Sequence, residues 1–173
     1  MTDRPERRDR QIERRKQFRK ARIDVLQALY ADEYLPGRKN EHAPFPHDRQ
    51  VPDQSGDLRN RLWQGIQEQK PHIDEVIRSL SSQWSLERMS RVDRNILRIG
   101  TYEILYEETI PFRVSIDESL ELAHQFSDPE AVSFINGILH QVGVRLNPGK
   151  VSVEAPEGLE VALNNRGEND ETG

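Results

Sequence analysis

The chain has 173 residues, no cysteine and a net charge of −5, a length that suits one domain burying roughly 70% of its unfolded surface. The missing thiols exclude a disulfide framework, thiolate metal sites and a cysteine nucleophile, and they fit a reducing cytosol. Hydrophobic residues make up 34% and charged residues 32%, so disordered ends are expected, and no apolar run approaches the roughly 18 residues that span a membrane.

Charge is unevenly placed. Residues 1–22 hold ten Lys/Arg against four Asp/Glu, six surplus positive charges at the head of an acidic chain. Such a concentration points to a polyanion or an acidic partner. The start of the chain lacks an apolar segment and a small-residue cleavage site, so it does not read as a signal peptide. Residues 1–12 mix arginines with acids around Pro5 and read as a flexible charged arm. A first helix is expected over about 13–33, with Phe18, Ala21, Val25, Ala28 and Leu29 on one apolar stripe. Arg14, Arg15, Lys16, Arg19, Lys20 and Arg22 form its cationic block, and a helix that buries the stripe holds basic side chains toward solvent. The competing account is a solvated face with i,i+4 pairs such as Glu6 with Arg10.

Residues 36–56 contain Pro36, Gly37, Pro44, Pro46, Pro52 and Gly56 and read as a long irregular loop. Asp57 is a plausible N-cap for a helix carrying Leu58, Leu62, Trp63 and Ile66. Pro71 is expected to break or kink that helix, or to open a new one. Beyond it Ile73, Val76, Ile77, Leu80 and Trp84 keep helical spacing.

Ser90 with Asp93 resembles a capping box opening a helix through Val92, Ile96, Ile99, Tyr102 and Leu105, and Pro111 ends that stretch. Ser115 and Glu118 form a second capping box before Leu120, Ala123 and Phe126. Asp128-Pro129 starts a last helix lined by Val132, Ile135, Ile138, Leu139, Val142 and Leu146. Residues 150–173 read as a disordered acidic tail, with six acids against Arg166 after position 150. The expected architecture is all-α, with about six or seven helices in a helical domain over 13–149.

Little here suggests catalysis. No Gly-rich phosphate loop, nucleophile elbow or HExxH signature occurs. Glu121-Leu-Ala-His124 places a carboxylate and an imidazole on one helix face, as helical di-iron sites require, but the second such motif and the two further glutamates are missing. Asp117 and Glu118 are better explained as acids offsetting a helix N-terminus. No cofactor is expected. Gly137 in the last helix reads as a tight helix crossing, with close approach to a ligand as the alternative. Phe134 lies partly off the apolar stripe and is assigned to the core, with a base-stacking surface as the second reading.

Three blocks in order resemble the NusB family of transcription antitermination factors. They are Arg19-Lys-Ala-Arg22 with Val25-Leu-Gln-Ala-Leu-Tyr30, then Val92-Asp-Arg-Asn-Ile-Leu-Arg98 through Tyr102-Glu103, and Ile110-Pro-Phe-Arg-Val-Ser-Ile-Asp-Glu118 with Phe134-Ile-Asn-Gly137. The likeness covers roughly residues 14–148. It implies two small packed helical bundles and a cytoplasmic bacterial protein without enzymatic activity. It also implies binding to the boxA element of ribosomal RNA leaders, and a partnership with the ribosomal protein that serves as NusE within an RNA polymerase antitermination complex. Carried over by position, Arg19, Lys20 and Arg22 fall on the family's basic motif and Phe134 on an aromatic RNA contact. Glu87 and Asp93 fall on acidic positions of the NusE-facing side. Phe18 and Ser133 depart from the pattern, standing where the family often has basic residues, and Arg14, Arg15 and Lys16 supply charge one turn earlier. Both monomers and homodimers occur in the family. The runner-up function is a protein-interaction adapter whose basic helix binds an acidic partner; a third is a helper to an RNA-modifying enzyme.

Overall fold

The computed structural model describes residues 3–34, 45 and 53–152, and among them all regular structure is helical. In chain order the elements are α1 (Asp3–Tyr34), α2 (Asp53–Leu80), a 3-10 turn (Leu86–Arg88), α3 (Arg91–Tyr106), α4 (Phe112–Phe126), α5 (Pro129–Leu146) and a short α6 (Pro148–Ser152). The predicted all-α class and helix number hold. α3 packs on α1 and α2 and also on α4 and α5, so two three-helix groups share one spine. Their apolar residues form one continuous core, with Val25, Leu58, Leu62, Ile66, Ile73, Ile96, Leu97, Leu122, Ile135 and Leu139 fully buried.

Cross-helix polar contacts give the directions. Arg59 reaches Asp24, and Gln67 reaches Asp32, so α1 and α2 run parallel although they are consecutive. Arg22 meets Glu103 and Glu33 meets Arg94, so α3 runs antiparallel to α1.

Several boundaries differ from the sequence reading. α1 begins at Asp3, so residues 3–12 of the expected arm are helical. α2 begins at Asp53, which leaves Asp57 inside the helix, and it continues through Pro71. A mid-helix proline costs about 3 kcal/mol. Ile66 before it and Ile73, Val76 and Ile77 after it are all buried, and that shared packing outweighs the lost hydrogen bond. Trp84 lies beyond the end of α2 and is half-exposed. α4 starts at Phe112, one turn before the expected box, so Ser115 is interior, fully buried, and donates its hydroxyl to the Pro111 carbonyl at 3.4 Å. The earlier start lets Phe112 and Ile116 both reach the core. At α3 half the box forms: the Asp93 N–H donates to Ser90 Oγ at 3.0 Å. The expected loop falls outside the described residues except Phe45 and the start of α2, and the tail lies outside them beyond Ser152.

Three helix crossings among the described residues depend on glycine, but none is at Gly137: a Cβ on Gly65 would lie 2.0 Å from the Tyr102 hydroxyl. A Cβ on Gly143 would lie 2.2 Å from the buried Phe112 ring, and one on Gly100 would lie 2.7 Å from Leu139 and Ser119. Among the described residues no other side chain or helix lies within 4 Å of a Cβ placed on Gly137, so the tight crossing expected there is not made. The open end of α3 is closed from α5 and α6. Asn147 donates to the Ile104 carbonyl at 2.9 Å, and the Lys150 ammonium donates to the carbonyls of Glu103 and Glu107 at 2.6 and 2.9 Å. A cation there also matches the negative end of the helix dipole.

Candidate nucleic-acid interface

α1 has two unlike halves. Every residue from 6 to 16 is exposed, whereas Ala21, Arg22, Val25, Leu26 and Leu29 are buried. The exposed half carries Arg14, Arg15 and Lys16, with Lys16 beside Glu13 at 4.0 Å. Pairs such as Arg10 with Glu6 support this half along its own surface, each worth only about 0.2–0.5 kcal/mol.

The six cations expected at the interface divide by environment. Arg14, Arg15, Lys16 and Lys20 face solvent, and Lys20 also pairs with Asp24. Arg19 is half-exposed, with Nε and Nη2 donating to both oxygens of Glu118 at 3.0 and 2.9 Å and Nη1 3.6 Å from Glu121. The hydrogen bond to Glu118 raises its pKa further above the ordinary range against the opposing effect of burial. Arg19 is therefore held in one orientation by α4, its three guanidinium nitrogens facing the Glu118 and Glu121 carboxylates.

Arg22 is a correction. Its side chain is 4% exposed and forms a two-pronged pair with Glu103, itself 1% exposed, at 2.6 and 3.2 Å. A third bond runs to the Phe18 carbonyl at 3.4 Å. Arg22 thus belongs to the interior and fastens α1 to α3. The signal was available in the sequence: Arg22 lies four residues after Phe18 and three before Val25, on the apolar stripe. Glu103 likewise follows Ile96 and Ile99 on the buried side of α3.

A groove of about 740 Å³ opens where the two halves of α1 meet. Gln11, Arg14, Arg15 and Phe18 form one wall, Leu58 and Arg61 of α2 another, and Ile110, Pro111 and Val114 the third. Sequence reading missed Arg61 and the α3–α4 connection because only tertiary packing brings them here. Two acids line it as well: Glu118, paired with Arg19 at 2.9 Å, and the exposed Asp57.

Phe134 is not brought to this groove. It packs on Trp84, ring centroids 5.6 Å apart, beyond the C-terminal end of α2; Leu58 lies near the other end. Glu87 is exposed on the 3-10 turn and accepts from Arg78 at 2.9 Å. Its own backbone N–H and then Arg78 lower its pKa. Asp93 sits in the first turn of α3, with one buried carboxylate oxygen lacking a hydrogen-bond partner. Behind them Glu33 is held by Arg94 and by Arg98 at 2.5 Å, while Arg98 also grips Asp74 at 2.7 and 3.0 Å. Burial alone would raise the Glu33 pKa, but the two arginines outweigh it and the carboxyl lies below its usual range.

Glu121 and His124, read as one helix face, are divided in use: Glu121 faces Arg19 and His124 is exposed. Among the described residues no group of three or more His, Cys, Asp and Glu is arranged to hold a metal ion, and no helix is long and apolar enough to cross a membrane.

Comparison with known proteins adds a second line of observation. Residues 17–143 match the NusB family. The transcription antitermination protein NusB of Myxococcus xanthus is 38% identical over 135 residues, covering 75% of this chain and 96% of that protein. The protein of the same name from Trichlorobacter lovleyi is 37% identical over 125 residues, 72% of this chain and 88% of its own length. Among solved structures, T. maritima NusB superposes with a TM-score of 0.67 at 31% identity, covering 78% of this chain and 96% of that one.

Proposed function

The chain belongs to the NusB family of antitermination factors, and from that premise we propose that it binds boxA RNA through the exposed cations of α1, without catalysing a reaction. Its site in the cell is the bacterial cytoplasm, within an antitermination complex containing RNA polymerase. The ribosomal protein that doubles as NusE docks on the side carrying Glu87 and Asp93.

One observation carries this reading. α1 is fastened inside by Arg22 and Glu103 and on its flank by Arg19 with Glu118, while Arg14, Arg15, Lys16 and Lys20 stay in solvent. Single-stranded RNA needs cations for its phosphates and flat groups for its unstacked bases. Guanidinium serves both needs, because it forms bidentate phosphate bonds and stacks on rings. Phe134, with Trp84 beside it, offers a further aromatic surface, and the open backbone at Gly137 on the same helix permits close approach.

The test is a salt-dependent titration against boxA and scrambled RNA, with and without the NusE protein. The reading expects tighter binding to boxA, further tightening with the partner, and a slope that rises by about 0.7 for each phosphate contacted. Equal, salt-independent affinity for both RNAs would refute it.

A further inference from the structure

We infer that the groove between α1, α2 and the α3–α4 connection receives one unstacked nucleobase of the bound RNA on the Phe18 ring, with Arg14 and Arg15 holding the adjoining phosphates. The inference rests on the RNA-binding reading above and assigns a residue that lies outside the expected cationic set.

Phe18 is half-buried, packed against the core on one side and lining the groove on the other. The Arg14 guanidinium lies 5.5 Å from its ring centroid, so a flat cation already occupies the place above the ring. A base sandwiched between them needs two carbon contact layers, roughly 7 Å in all. Arg14 lies on the exposed half of α1, and a swing of its long side chain supplies the difference. Leu58, Ile110, Pro111 and Val114 give the groove an apolar stretch that suits a base, while Asp57 and Glu118 on the same lining turn a phosphate away. At about 740 Å³ the space lies within the 300–1,000 Å³ range of small-ligand sites. Arg15 stands on the wall and makes no ion pair among the described residues. Charge at the rim and an apolar, aromatic interior are the two halves of a nucleotide: backbone outside, base inside.

The experiment is a double-mutant cycle on the full chain. Wild type and Phe18→Leu, which keeps apolar volume and loses the ring, are titrated with boxA RNA and with a set of the same RNA carrying one abasic nucleotide at each position in turn. Phe18→Leu should weaken intact RNA by about tenfold and leave the salt slope unchanged. At one position, removing the base should cost as much as removing the ring, and the two losses should not add. Additive losses at every position overturn the groove assignment while the RNA reading stands. No measurable RNA binding by wild type overturns both. Should Phe18→Leu fail to fold, photocrosslinking of wild type with 4-thiouridine RNA decides: adducts on residues 11–18 or 110–114 support the assignment, and adducts confined to the Phe134 region reject it. A synthetic peptide of residues 153–173 that seals the groove against RNA at equimolar concentration would show an acidic segment to be its occupant, and would overturn the inference.

Discussion

Arg22 and Glu103, 81 positions apart in sequence, meet in a buried two-pronged ion pair with Nε to Oε1 at 2.6 Å. Taking two charges out of water costs several kcal/mol each, and only good geometry offsets it. Removing one partner strands the other. We expect Arg22→Met to destabilise the protein by about 3–5 kcal/mol, and Arg22→Met with Glu103→Leu to recover most of that loss. Urea unfolding at neutral pH measures both. A single-variant loss below about 1 kcal/mol would show that the pair does not fasten α1.

The exposed half of α1 should behave oppositely. Replacing Arg14, Arg15 and Lys16 with glutamine should leave stability within about 0.5 kcal/mol of wild type. The same change should lower the magnitude of the salt slope for boxA RNA by about 2, at roughly 0.7 per lost phosphate contact. An unchanged slope would move the RNA contact elsewhere.

Glu33 sets an acid limit. Its pKa in the folded protein lies below the unfolded value because Arg94 and Arg98 outweigh its burial. A depressed carboxyl contributes its stability above the unfolded pKa, about 4.3, and loses it as pH falls through the folded value. Glu33→Gln should therefore be destabilising at pH 7 by about 3 kcal/mol, and the gap to wild type should narrow as pH falls below 4. A gap independent of pH would mean that the network is held by packing alone.

Glycine substitutions should separate packing from propensity. Gly143→Ala drives a methyl to 2.2 Å from the buried Phe112 ring, and overpacking of this kind costs about 1–3 kcal/mol. Gly137→Ala meets nothing within 4 Å and should stabilise the helix by up to about 1 kcal/mol. Thermal melts of the two variants should move in opposite directions. A stabilised Gly137→Ala that binds RNA less well would show that the open backbone serves close approach.

How much was legible beforehand depended on range. Apolar spacing placed the cores of α1, α3 and α5, since Val25, Ile96 and Ile135 report on their own helices. Helix starts were harder. Asp57 and Ser115 carry capping side chains, but long-range burial of Phe112 and Ile66 decided where α4 and α2 run. Among site residues, Arg14, Arg15 and Lys16 were readable because exposure follows from the helical wheel. Arg22 was misread as a surface cation, since basic neighbours concealed its place on the apolar stripe. Arg61 and Ile110 could not be found at all, for no local pattern tells a helix which groove it will line.

The Lys150 ammonium that closes the end of α3 comes from α6, the last helix among the described residues. On a ribosome this orders events. Glu103, the carboxylate that secures α1, is translated 81 residues after Arg22, and the lysine that seals α3 later still. Until both are made, α1 lacks the carboxylate that fastens it and α3 lacks the cation on its terminal carbonyls, so the complete set of contacts awaits synthesis through residue 150.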